Sequence, residues 1–94
     1  MVTVTYNGTV LAQSDKPVKL EGNFYFPPES LNKDLLVQSP TKYTCPWKGS
    51  ATYYNANIDG ATVSDIAWGY LTPKSAATQI AGHLAFDKSK VSVA

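Results

Sequence analysis

The stretch ATYYNANI-DG-ATVSDI, residues 51–66, decides the fold. It sets two β-rich runs on either side of Asp59-Gly60. An Asp-Gly or Asn-Gly pair between such runs is the strongest short-range hairpin signal, because both turn residues must accept positive φ. The same grammar recurs along the chain. Val2, Val4 and Tyr6 alternate with Thr3 and Thr5, reach Asn7-Gly8, and resume over residues 9–12. Residues 18–21 and 24–26 flank Gly22-Asn23, and residues 83–86 and 91–93 flank Asp87-Lys88 as a shorter fourth pair. These signals, over 94 residues, predict one all-β antiparallel domain spanning residues 1–94. Helix is confined to two short turns: residues 32–36, with Ser30 as the cap, and residues 75–80 after Pro73. Residues 37–45 read as a loop, with Ser39-Pro40 marking a turn. Strands this short favour a strongly twisted sheet that curls into a small barrel or splits into two packed sheets.

Composition narrows the function. Eight Lys stand against seven acids, a net charge of +1, and no Arg occurs. Nucleic-acid and acidic-membrane binders carry a basic stripe, so neither partner is expected. Any anion site must use Lys and backbone N–H groups in place of the bidentate Arg fork. Cys45 is the only cysteine and His83 the only histidine, which excludes an internal disulfide and a Cys-based zinc cage. No metal and no particular cofactor is indicated. Residues 1–13 alternate apolar and polar without a basic start, and no stretch approaches the ~18 apolar residues of a membrane span. A cytoplasmic location is the expectation.

Chemistry concentrates in YTCPWKG, residues 43–49, followed by Tyr53-Tyr54 and by Trp68 and Tyr70. Cys45 is a candidate nucleophile because Lys48, three residues on, would favour its thiolate. The bland alternative is a small buried hydrophobe. Lys48, at the start of the expected strand, either stays solvated or projects inward to bind an anion or act as a base. Glu21, Glu29 and Asp65 are the acids nearest these segments, and any of them could partner it. Alternation puts Trp68 and Tyr70 on one face, where polar-tipped aromatics either fill a core or wall a pocket. His83 reads as a surface residue.

Cys45-Pro46-Trp47-Lys48-Gly49, with Ala51, Tyr53, Ala67-Trp68, Tyr70 and residues 82–86, resembles the hallmark segments of the domain-of-unknown-function family numbered 427. That family also carries a nucleotidyltransferase-type label. Upstream, Tyr25-Phe26-Pro27-Pro28-Glu29, Asp34-Leu35-Leu36 and the Asn7-Gly8 hairpin fit the same pattern. The resemblance implies a small all-β protein, Mss4-like in outline, and no established activity. Nucleotidyltransferase sites pair a Gly-Ser turn with an Asp-x-Asp metal clamp. Gly49-Ser50 is present here, but the chain holds no Asp-x-Asp or Asp-x-Glu. Zinc-binding Mss4-like proteins use paired Cys-x-x-Cys motifs, also absent.

Together the residues point to a small molecule held in an aromatic-lined cleft by Tyr25, Trp47, Lys48, Tyr53, Trp68 and Tyr70. Two alternatives stand beside it. One is an enzyme using Cys45 or Lys48; the other is an interaction module whose aromatics form a homodimer or partner interface.

Overall fold

A computed structural model describes all 94 residues. Its strands are β1 (Val2–Tyr6), β2 (Thr9–Ser14), β3 (Val18–Leu20), β4 (Asn23–Tyr25), β5 (Leu36–Cys45), β6 (Gly49–Ile58), β7 (Ala61–Gly69), β8 (Leu84–Phe86) and β9 (Ser92–Val93). The chain is all-β: helical backbone is limited to 3₁₀ turns at Pro28–Ser30, Lys33–Leu35 and Ser75–Ile80. No helix is long and apolar enough to cross a membrane.

The central sheet runs β5-β6-β7-β8, all antiparallel. Phe26 exchanges both backbone hydrogen bonds with Leu84, at 2.7 and 3.0 Å, so the β4–β3 hairpin continues the sheet beyond β8. A second sheet, β2-β1-β9, packs on one face. Strand geometry sends successive side chains to opposite faces, and the central sheet uses both. Phe26, Ala56, Ile58, Ile66, Leu84 and Phe86 meet Val4 and Leu11 of the second sheet in the main core. Tyr25 and Ala85, one residue away from core positions, turn to the other face and pack with Cys45, Ala51, Tyr70, Ala77 and Ile80.

Two of three tight turns form where their sequences suggest. Asn7-Gly8 and Asp59-Gly60 have positive φ at both residues, 47° and 83°, then 52° and 79°. The second hairpin turns one residue earlier than expected. Its turn is Glu21-Gly22, φ 53° and 79°, and Asn23 pairs with Leu20. Gly therefore takes the second turn position, where it fits without strain, and a Glu is forced into left-handed backbone.

Three other expectations are corrected. Residues 37–45 are not a loop but most of β5, with an irregularity between Gln38 and Lys42 that absorbs Ser39-Pro40. β5 lies at the sheet edge, where a proline without an N–H breaks no ladder. Residues 83–86 and 91–93 do not form a hairpin, because β8 already has β7 on one side and Phe26 on the other. β9 instead pairs with β1, and the intervening turn is tied by Ser89 N–H and Oγ donating to Asp87 Oδ1 at 3.0 and 2.7 Å. The Ser30 cap is also absent. Its Oγ donates to the Pro27 carbonyl at 2.7 Å, and two 3₁₀ turns replace the expected single one.

One polar residue pins the irregularities of three strands. Asp65 has φ 49°, and its N–H donates to Asn55 Oδ1 at 2.9 Å, where the β6–β7 register shifts. Its Oδ2 accepts from Thr41 Oγ1 at 2.7 Å, within the irregularity of β5. The neighbouring Ser39 hydroxyl and the Thr41 hydrogen bond hold its carboxyl below the ordinary carboxylate value of 3.8. Stability from such a lowered pKa is complete above the unfolded value and is lost as pH falls through the folded one. Asp65→Asn should therefore reduce the acid sensitivity of unfolding below about pH 4, measured by urea titration. Gly69 permits a close approach instead: a Cβ there would lie 2.4 Å from the His83 carbonyl and 2.5 Å from Leu84 Cδ2. Gly69→Ala is expected to destabilise by roughly 1–3 kcal/mol, through overpacking against backbone, in the same titration.

Candidate functional site

Register builds a row of side chains across one sheet face. Tyr53 pairs with Trp68, and Trp68 pairs with Ala85. The Phe26–Leu84 bridge brings Tyr25 alongside Ala85 on the next strand. Ala85 is small enough to let its neighbours meet over it. Trp68 Nε1 donates to Tyr25 Oη at 3.4 Å, with the two rings edge-to-face at 6.5 Å and 87°. Tyr53 lies 6.4 Å from Trp68, and Tyr70 lies 6.5 Å from Tyr25.

Lys48 completes the cluster from a hairpin loop. Cys45 pairs with Gly49, so residues 46–48 form a three-residue connection, and Lys48 precedes β6 rather than starting it. The loop is clasped from outside. The Lys74 N–H donates to the Lys48 carbonyl at 2.9 Å, and Lys74 Nζ donates to the Pro46 carbonyl at 2.7 Å. With its backbone fixed, the Lys48 side chain runs inward, and the residue is only 7% exposed. Its Nζ lies 5.2 Å from the Trp47 ring centre and 5.4 Å from that of Tyr70, both within cation–π range.

The charge partner is Glu21. Lys48 Nζ donates to Glu21 Oε1 as an ion pair linking the β3–β4 turn to the β5–β6 loop. Lys88 Nζ anchors the same turn, donating to the Gly22 carbonyl at 2.9 Å. The Lys48 hydrogen bond pulls the Glu21 carboxyl below its ordinary value, and the Trp47 indole adds a smaller push the same way. Burial alone would lower the Lys48 ammonium pKa. The Glu21 bond and the Tyr25 and Tyr70 phenols outweigh it, and the net shift is upward. Burial pushes the Tyr70 phenol up to about 12, against the opposing influence of Lys48. The pair is lopsided: the Lys48 side chain is 9% exposed and that of Glu21 is 48% exposed.

All six candidate ligand residues thus converge on one face: Tyr25 and Tyr70 fully buried, Tyr53 and Trp68 half-buried, Trp47 at the rim and 37% exposed, Lys48 among them. Their rings pack against one another, and no cavity of the structure is lined by them. Cys45 is buried in the same cluster as Tyr25 and Tyr70, together with Ala51, Ala77, Ile80 and Ala85. Glu29 and Asp65 take no part in the Lys48 pair. His83 is partly exposed, and its Nδ1 lies 2.9 Å from the Ala81 carbonyl at the surface. No three His, Cys, Asp or Glu side chains come together as metal ligands. Lys74 and the positive φ of Glu21 lay outside the sequence reading. The Glu-Gly dipeptide was the available signal for the turn.

A family model matches residues 1–94, the whole chain, and the protein belongs to that family: the domain of unknown function DUF427, also named NTP_transf_9. No curated protein matches it significantly.

The ion pair has a defined pH window. Its Glu21 contribution is present above the ordinary value of 4.5 and lost as pH falls through the lowered one. Its Lys48 contribution is present below the ordinary value of 10.5 and lost as pH rises through the raised one. Glu21→Gln should flatten both edges of the stability–pH profile. It should also lower the melting temperature more than Lys48→Met does, because the first leaves a buried ammonium without its carboxylate and the second leaves a half-exposed carboxylate in water.

Proposed function

We propose that the protein binds a small aromatic anion at the Lys48 cluster. The observation that carries this reading is a buried ammonium, framed by the Trp47 and Tyr70 rings, whose only counter-ion stands half in solvent. A lysine held charged in such surroundings can bind a carboxylate or phosphoryl oxygen strongly, since screening by water is weak there. Glu21 Oε1 occupies that position in the structure. It sits half-exposed on the turn of a hairpin with three-residue strands, so its side chain can turn to water while the incoming anion replaces it as the counter-ion of Lys48. Trp47, at the rim, offers a ring face to an aromatic body as the anion engages Lys48. Tyr70 frames the ammonium, and Tyr25, Tyr53 and Trp68 form the packed row of rings behind it, of which the half-buried Tyr53 and Trp68 are the members a ligand can reach.

In this exchange Lys48 binds and Glu21 competes, which separates ligand binding from a purely structural ion pair. Titration with a panel of small aromatic carboxylates and phosphates, followed by Trp fluorescence, is expected to quench Trp47. Glu21→Gln should tighten binding, while Lys48→Met should weaken it at least tenfold, the scale of one lost hydrogen bond to a charged group. Absence of quenching by every panel member, or quenching indifferent to both substitutions, would refute the reading. Sedimentation of the same samples tests the homodimer alternative: a tight dimer that shields Trp47 would assign the cluster to an interface.

A further inference from the structure

On the opposite face of the central sheet, the main core has an open corner. A cavity of about 410 Å³ lies between the two 3₁₀ turns, the start of β5, the middle of β6 and the bend after β7. This volume falls in the range of small-molecule sites. Leu31, Leu36, Leu71 and Leu84 form its walls, with Pro28 beside them. Leu71 is 52% exposed although it borders this apolar concavity. Water held against four leucines is released when an apolar body enters, which is the driving force for binding.

Two polar groups fix the chemistry of the occupant. Lys33 is the only charged residue lining the cavity, and its ammonium has no ion-pair partner in the protein. Tyr54 supplies the only ring, and burial raises its phenol pKa, so it stays a neutral donor at ordinary pH. The lining is otherwise aliphatic, without the packed aromatic rings of the Lys48 cluster.

We infer that this cavity binds an aliphatic monocarboxylate, its chain along Leu31, Leu36, Leu71 and Leu84 and its carboxylate taken by Lys33 and the Tyr54 hydroxyl. Tyr53 and Tyr54 are consecutive on β6 and serve opposite faces, so this site is separate from the Lys48 cluster and does not rest on it.

The probe is decanoate below its micelle concentration, with decanol as the uncharged control, followed by calorimetry and by amide chemical shifts. Decanoate is expected to shift the signals of residues 31–36, 54, 71 and 82–84. Lys33→Ala should weaken decanoate about three- to fivefold, the scale of an exposed ion pair, and leave decanol unchanged. Leu71→Glu, at an exposed position where folding tolerates a charge, should abolish binding of both. Lys48→Met should leave decanoate binding intact, which distinguishes failure here from failure at the aromatic cluster. No binding of decanoate, or binding indifferent to both Lys33→Ala and Leu71→Glu in variants that melt as the wild type does, would overturn the inference.

Discussion

A β-strand can send adjacent side chains only to opposite faces, and the central sheet depends on that constraint throughout. Tyr25 and Phe26, Tyr53 and Tyr54, Ala85 and Phe86 are consecutive pairs that divide between two packing regions. One region is wholly apolar and joins the two sheets. The other gathers polar-tipped rings around an ammonium and has only short 3₁₀ backbone and a hairpin loop to cover it. So small a chain has room for only a minor second core. The second face is closed by a few small apolar side chains, by aromatic area and by one ion pair.

That ion pair joins two hairpins that are otherwise held apart by sequence and by topology. Lys48 belongs to the β5–β6 loop, Glu21 to the β3–β4 turn at the far end of the extended sheet. The burial asymmetry follows from where each sits. The ammonium is shielded by Trp47 and Tyr70, whereas the carboxylate lies on a turn that faces water. Glu21 also carries left-handed backbone, a conformation that a non-glycine residue keeps only when its surroundings over-determine it. Its bonds to Lys48 and the Lys88 anchor at Gly22 are those surroundings. Electrostatics at the site and strain in the turn are one arrangement.

The hairpin turns were legible because their requirement is local. Asn7-Gly8 and Asp59-Gly60 state positive φ in the residue types themselves, and the all-β class follows from their spacing. Cross-strand register and the β5–β6 loop bring Tyr25, Tyr53, Trp47 and Lys48 together with Trp68, whereas the shared face of Trp68 and Tyr70 was legible from alternation alone. β5 was not. Its exposed edge carries Gln38, Pro40, Thr41 and Lys42, the composition of a loop, and only its pairing with β6 makes it a strand. Asp65 was equally silent, because its role is to join Asn55 and Thr41 across strands.

By itself the sequence determined the fold class, the hairpins on either side of residues 7–8 and 59–60, and the family, all through patterns that act within a few residues. Tertiary structure alone decided that Glu21 and not Glu29 or Asp65 faces Lys48, that β9 closes on β1, and that the open cavity lies on the face away from the indoles. The physical reason is range. Turn conformation and side-chain alternation are set by neighbours along the chain, whereas charge pairing and cavity position depend on which distant strands share an edge.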